Sequence, residues 1–448
     1  MVRRPQRDVG RARKSLWRTN ERLRGPWWTK SPAPVYREAP IDKSSTLGNN
    51  DGVPGKSTGH SYLLISTPVL AWPAAGEGKL PVMRIAQVAP LYESVPPKLY
   101  GGTERVVSYL TEELVRQGHE VTLFASGDSM TEARLVPGCP KSLRMAPECI
   151  DPLAHHVLLV ERVFDESENF DLIHFHIDYL HYSRSRNRGV PVLTTLHGRL
   201  DIPDLVPLYH RFQDMPVVSI SNAQRTPLPW LNWQATVHHG LPVEILKYHS
   251  GPGKYLAFLG RISPEKGLDE AIAIAHQAGI DLKIAAKVDR VDQLYFDTVI
   301  KPLLRGPGIE FVGEIGNSEK AEFLGEALAL LCPVRWPEPF GLVMIEAMAC
   351  GTPIVAYPRG SVPELVEHGV SGFIVHNRQQ AVEAVKAISA LNRKRCREYF
   401  EQRFSATRMC ADYVAVYERL VETEPVLSTS DQLVGESPLA SSRYPTRL

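Results

Sequence analysis

Short apolar runs recur along this chain, each ended by Gly, Pro or a polar breaker, and the segments between them have helical period. Residues 83–90, MRIAQVAP, are the first such run. A run this short, closed by a breaker, reads as a strand buried on both faces. Gly101-Gly102 then opens a helix with Val106, Val107, Leu110 and Leu114 on one side. Gly118 stops that helix, and residues 120–124 form the next strand. Further strands are expected over 172–175, 192–195, 217–220 and 235–238. Strands of this kind alternating with helices predict a parallel sheet covered on both sides.

The pattern restarts after Gly251-Pro-Gly253, which reads as a linker. A strand over 255–259, a Gly-containing turn over 260–267 and a helix over 268–277 come first. Strands over 282–285, 309–312, 329–333, 353–356 and 372–375 follow. The fold class expected is therefore α/β, with two Rossmann-like, doubly wound units of about 150–180 residues each. Their expected bounds are 83–250 and 251–405, with a last helix over 406–424.

Residues 1–82 lack sustained periodicity and are rich in Pro, Gly, Ser and Arg, so they read as a disordered basic extension; 425–448 read as a disordered polar tail. Met83 reads as an alternative translation start. The first 30 residues carry Arg3, Arg4, Arg7, Arg11, Arg13, Lys14, Arg18, Arg22, Arg24 and Lys30 against only Asp8 and Glu21. Such an arm suits contact with an anionic surface, but the reading taken is a solvated tail. Over the whole chain 51 Lys and Arg balance 50 Asp and Glu, which argues against a nucleic-acid partner. No apolar run approaches the ~18 residues of a membrane span. Peripheral membrane contact through the arm stays open. The six cysteines show neither CxxC pairing nor metal-ligand spacing and read as reduced thiols of a cytoplasmic protein.

Three loops carry suitable chemistry at the carboxyl ends of strands, where open parallel sheets bind ligands. Gly101-Gly102-Thr103-Glu104 lets a phosphate approach backbone N–H groups at a helix start, or is a simple turn. Arg261 and Lys266, in GRISPEKG over 260–267, are paired cations able to stabilise a departing diphosphate, or members of an ordinary charged turn. In EPFGLVMIEAMACGTP over 338–353, Pro337 and Pro339 stiffen the approach of Glu338 and Gly341 opens a helix. Glu346 lies on the apolar side of that helix, where a carboxylate needs a partner such as a sugar hydroxyl, or caps a backbone amide.

The E-x7-E pair of Glu338 and Glu346, with GRISPEKG and the upstream GGTE, resembles the retaining family 4 glycosyltransferases of the GT-B fold. The resemblance spans residues 83–421 and implies two domains facing a central cleft, with the N-terminal one for the acceptor and the C-terminal one for a nucleotide-diphosphate sugar. It further implies that Arg261 and Lys266 bind the diphosphate, Glu346 the ribose and Glu338 the sugar hydroxyls. The backbone at Phe340, Gly341 and Leu342 would approach sugar and phosphate, and Gly101-Gly102 would line the phosphate side. The nucleobase would rest on the loop of Gly313, Glu314 and Ile315. His197 would bond a sugar hydroxyl beside the reacting carbon, and Ser221 and Arg225 fit a recurrent family segment. The last helix would cross back to the first domain. The implied reaction is a front-face, retaining transfer with no metal and no cofactor beyond the co-substrate.

UDP-glucose is the donor expected and GDP-mannose the alternative, with a small-molecule or glycan hydroxyl as acceptor. A sugar synthase or phosphorylase, and a non-catalytic nucleotide-sugar-binding protein, are the other readings. His174, His176, Asp178 and His181 form a rival constellation that could ligate zinc. His-x-His without metal is common at such strand ends in the family.

Overall fold

The computed structural model of the chain describes residues 81–98, 100–186 and 189–423. The basic arm within 1–80 and the tail over 425–448 lie outside the described residues. Seven strands form the first sheet: β1 (Arg84–Val88), β2 (Glu120–Ser126), β3 (Arg134–Cys139), β4 (Leu172–Phe175), β5 (Val192–Leu196), β6 (Val217–Ser219) and β7 (Trp233–Thr236). Their order across the sheet is β3-β2-β1-β4-β5-β6-β7, all parallel. The second sheet has β8 (Tyr255–Arg261), β9 (Leu282–Lys287), β10 (Ile309–Gly313), β11 (Ala327–Cys332), β12 (Ile354–Ala356) and β13 (Gly372–Ile374). Its order is β10-β9-β8-β11-β12-β13, again all parallel. Both sheets belong to one compact unit.

The central strands match the expected runs because residues buried on both faces must be apolar. The edges depart from expectation. β3 carries Pro137 and Gly138, which hid it; a proline is tolerated there because an edge strand leaves one row of N–H groups unpaired. β7, also an edge, is only half-buried and begins two residues before its expected position, which frees His238 and His239 for the following loop. β11 begins at Ala327 and ends before Pro333.

Chain order reverses between β1 and β4 in one sheet and between β8 and β11 in the other. Loops that leave neighbouring strands in opposite directions open a crevice at such a point. The crevice of the second sheet is bounded by the β8 loop with Arg261 and Lys266 and the β11 loop with Glu338. The last helix, Ala406–Thr423, packs on the first helix, Gly102–Arg116, and its Tyr413 and Tyr417 are fully buried. Among the described residues no helix is long and apolar enough to cross a membrane.

Candidate active site

Gly341 sits at φ 85°, a left-handed conformation that L side chains rarely adopt, and starts the helix Leu342–Ala349. A Cβ there would fall 2.6 Å from Cε of Met344 and 3.4 Å from Cγ of Glu338. The backbone therefore favours glycine, and a larger residue would also have to displace the flexible end of Met344. The turn presents Glu338, 7% exposed, to the crevice. Its Oε2 accepts from Lys266 Nζ at 2.6 Å and from Trp336 Nε1 at 2.8 Å, and Lys266 lies 5.1 Å from the Trp336 ring centre. Arg261 is surrounded by Glu265, Asp292 and Asp289. Both expected cations follow β8 closely, and each is engaged by carboxylates in this structure.

Glu346 is 3% exposed. Its Oε1 accepts from Lys320 Nζ at 2.7 Å, while its buried Oε2 has no hydrogen-bond partner among the described residues. A buried carboxylate oxygen without a donor is costly, and a ligand hydroxyl would satisfy it. No sequence signal marked Lys320, an unremarkable charge on the helix Asn317–Gly325. Ile315 precedes that helix and is half-buried against the core.

The first sheet contributes from across the cleft. Gly101 is buried, and a Cβ on it would come 2.7 Å from Pro97 Cβ. Gly102 is exposed, and a Cβ there would lie 3.6 Å from Cδ1 of Leu342. The glycine pair and the start of the helix Leu342–Ala349 therefore face one another. Ser221 donates to the Pro339 carbonyl at 2.7 Å, and Glu364 accepts from the backbone N–H groups of Asn222 and Ala223. Burial alone would raise the Glu364 carboxyl, but bonds from His238 and those two amides hold it below its usual range. Arg225 is not brought to this site; it lies over Trp233 on the edge strand.

His197 follows β5, and its Nε2 is 2.8 Å from Nδ1 of His176. Its ring stacks on His239 at 5.3 Å and 17°, and His239 in turn meets Phe340 at 4.6 Å. Burial lowers the His197 pKa to about 3, so the ring is neutral at physiological pH. The rival zinc constellation is spent on other bonds. His174 is held by Tyr417 and Thr195, His176 by His197 and Gln87, and His181 by Ser185 and Thr194. Asp178, the fourth member, is exposed in the turn after β4 and has φ 50°. Gln87 had a signal in the sequence, as a polar residue flanked on both sides by the apolar residues of β1.

A family model described as "Glycosyltransferase Family 4" matches residues 100–257, and one described as "Glycosyl transferases group 1" matches 247–403. The alpha-maltose-1-phosphate synthase of Mycolicibacterium smegmatis is 33% identical over 157 residues, covering 32% of this chain and 40% of that protein. The glycogen synthase of Mycobacterium tuberculosis is 26% identical over 364 residues, covering 69% of this chain and 86% of its own length. Among solved structures, the sucrose-phosphate synthase of Thermosynechococcus elongatus has a TM-score of 0.62 at 19% identity, covering 76% of this chain and 99% of that one. Anabaena HepE in complex with UDP-glucose has a TM-score of 0.56 at 19% identity, with 76% and 99% covered. These likenesses agree with two parallel sheets facing a cleft. Since the two family matches together run from residue 100 to residue 403, the chain belongs to the family 4 glycosyltransferases and has their GT-B fold.

Proposed function

We propose that this glycosyltransferase moves a hexosyl group from a nucleotide-diphosphate sugar, UDP-glucose as first choice, to the hydroxyl of a small-molecule or glycan acceptor. The observation that carries the reading is the 2.6 Å pair of Lys266 and Glu338 at the crevice between β8 and β11. A cation for phosphate and a carboxylate for sugar hydroxyls stand side by side there, as the two halves of a sugar diphosphate require. On binding, the diphosphate takes Lys266 and Arg261, and the sugar hydroxyls take Glu338. Backbone N–H groups at Phe340, Gly341 and Leu342 support the same charge at a helix start. The free Oε2 of Glu346 suits a ribose hydroxyl, and half-buried Ile315 is the residue proposed to meet the base. The uracil nucleotide is preferred because Anabaena HepE, similar in fold, was solved with UDP-glucose.

In the proposed reaction the bond from the anomeric carbon to the β-phosphate oxygen breaks and the acceptor oxygen bonds on the same face, retaining configuration. The acceptor's proton passes to the departing phosphate. Lys266 and Arg261 supply the positive charge that a metal would otherwise provide, so the transfer is metal-independent. A neutral His197 beside the reacting carbon avoids adding charge where positive charge develops. All six cysteines are free thiols, which supports a reducing, cytoplasmic setting. Calorimetric titration of the full chain with UDP, GDP and ADP tests the donor: UDP should bind at least about tenfold tighter, ~1.4 kcal/mol. Preference for GDP would move the assignment to a guanine nucleotide, and no binding of any would sink it.

A further inference from the structure

Behind His197 runs a buried chain of hydrogen bonds that ends on the last helix. His197 Nε2 meets His176 Nδ1 at 2.8 Å, and His176 Nε2 meets Gln87 Oε1 at 2.8 Å. Gln87 Nε2 donates to the Tyr417 hydroxyl at 3.1 Å, and that oxygen is 2.7 Å from Nδ1 of His174. His174 Nε2 then meets Thr195 at 2.8 Å, and Thr195 meets the Tyr413 hydroxyl at 2.9 Å. Gln87, His174, Thr195, Tyr413 and Tyr417 are each 0% exposed, and His176 is 2% exposed. No water competes for these groups, so each bond constrains the next.

The chain has a direction. An amide oxygen only accepts, so His176 must carry its proton on Nε2. Its Nδ1 is then a lone pair, which obliges His197 to donate from Nε2. A neutral His197 that donates from Nε2 has its remaining lone pair on Nδ1. On the far side, Tyr417 accepts from Gln87 and lies in hydrogen-bond contact with His174. The assignment turns on one group, the Gln87 amide, which Tyr417 of the last helix holds in place.

We propose that Gln87 and His176 are positioning residues that fix His197 as the Nε2–H tautomer. His197 then presents an Nδ1 lone pair to a hydroxyl of the donor sugar, and Tyr417 anchors the setting from the last helix. The proposal rests on the reading of His197 as a donor-sugar residue. It explains why a glutamine interrupts an otherwise apolar buried strand, and why the last helix brings two tyrosines to the first sheet. A Gln87 amide turned the other way would invert the bonds from Tyr417 to His197 and place the His197 proton on Nδ1.

The direct test is long-range 1H–15N NMR on the full chain with 15N-labelled histidine, without ligand, with His197→Asn used to assign the signal. The expected spectrum has His197 protonated on Nε2 and bare at Nδ1; a proton on Nδ1 overturns the proposal. Turnover is read as UDP release from UDP-glucose without acceptor. Gln87→Leu should produce mixed His197 tautomers and lower kcat about tenfold while KM moves less than about twofold. Gln87→Glu, which can only accept, should keep the tautomer and regain most of kcat. Equal loss in both variants would mean that position 87 matters for packing alone, which also overturns the proposal. If His197→Asn leaves UDP release unchanged, the donor-sugar role of His197 fails, whichever tautomer the spectrum shows.

Discussion

Glu346 holds one oxygen on Lys320 and leaves the other buried and bare, in a helix whose neighbouring side chains are apolar. Its structural share is met by Lys320, so its second oxygen is the part free for a ligand. Glu346→Gln keeps the shape and removes the charge. It should weaken UDP binding by roughly tenfold, since bonds to ionised groups contribute about 1.5–3 kcal/mol; calorimetry checks this, and unchanged affinity would remove Glu346 from the ribose. At this scale the loops that carry the proposed donor residues were legible in the sequence. Glu338, Arg261 and Lys266 sit at strand ends within a few residues of glycines and prolines that can serve only a turn. Lys320, Trp336 and Gln87 were not read, because their roles depend on which strands become neighbours. Spacing along the chain does not report that.

The helix Leu342–Ala349 depends on the turn before it more than on its own residues. Its first turn has no acidic residue and its cap supplies no side-chain bond, so it offers bare N–H groups toward the cleft. Gly341 makes that possible by its left-handed backbone. Gly341→Ala should cost about 1–2 kcal/mol of stability, the usual penalty for an L residue in that conformation. Urea denaturation checks this, and a neutral result would mean that the turn relaxes. Among the strands, every central one overlaps the run expected for it, although β11 begins two residues early. The sequence was misread at β3 and β7, because an edge tolerates Pro137 and a half-polar pattern that resemble loop. The rival reading of His174, His176, Asp178 and His181 as a zinc set meets a related obstacle. Alternating histidines were visible, but not the Tyr417, Thr195 and Gln87 that take up their nitrogens.

Over the whole molecule, burial lowers the pKa of His174, His176, His181, His197 and His239, all grouped near the sheet ends and the cleft. In the unfolded chain each would take up a proton near its ordinary value of 6.5. Below that pH the unfolded state binds more protons than the folded one, so stability is full above it and falls as pH drops. Thermal denaturation at pH 7.5 and 5.5 should show a marked loss at the lower pH, and equal stability would contradict the buried, neutral assignment. The same grouping ties the last helix to the first sheet by buried polar bonds, and one apolar cluster runs through both sheets. What joins them at the cleft is lighter: Ser221 to Pro339, and Glu364 to the amides of Asn222 and Ala223. Closure on a donor is expected at that lighter seam, with residues 251–253 as the hinge.

The central claim is that Lys266 and Glu338 mark the junction of diphosphate and sugar in a nucleotide-sugar site. The measurement that tests it most directly is UDP release from UDP-glucose, comparing the wild-type chain with Lys266→Ala after both are shown to be folded. The wild type should release UDP, and Lys266→Ala should be slower by about 100-fold or more, as when a charge-stabilising donor is removed. Equal rates in the two proteins would contradict the account.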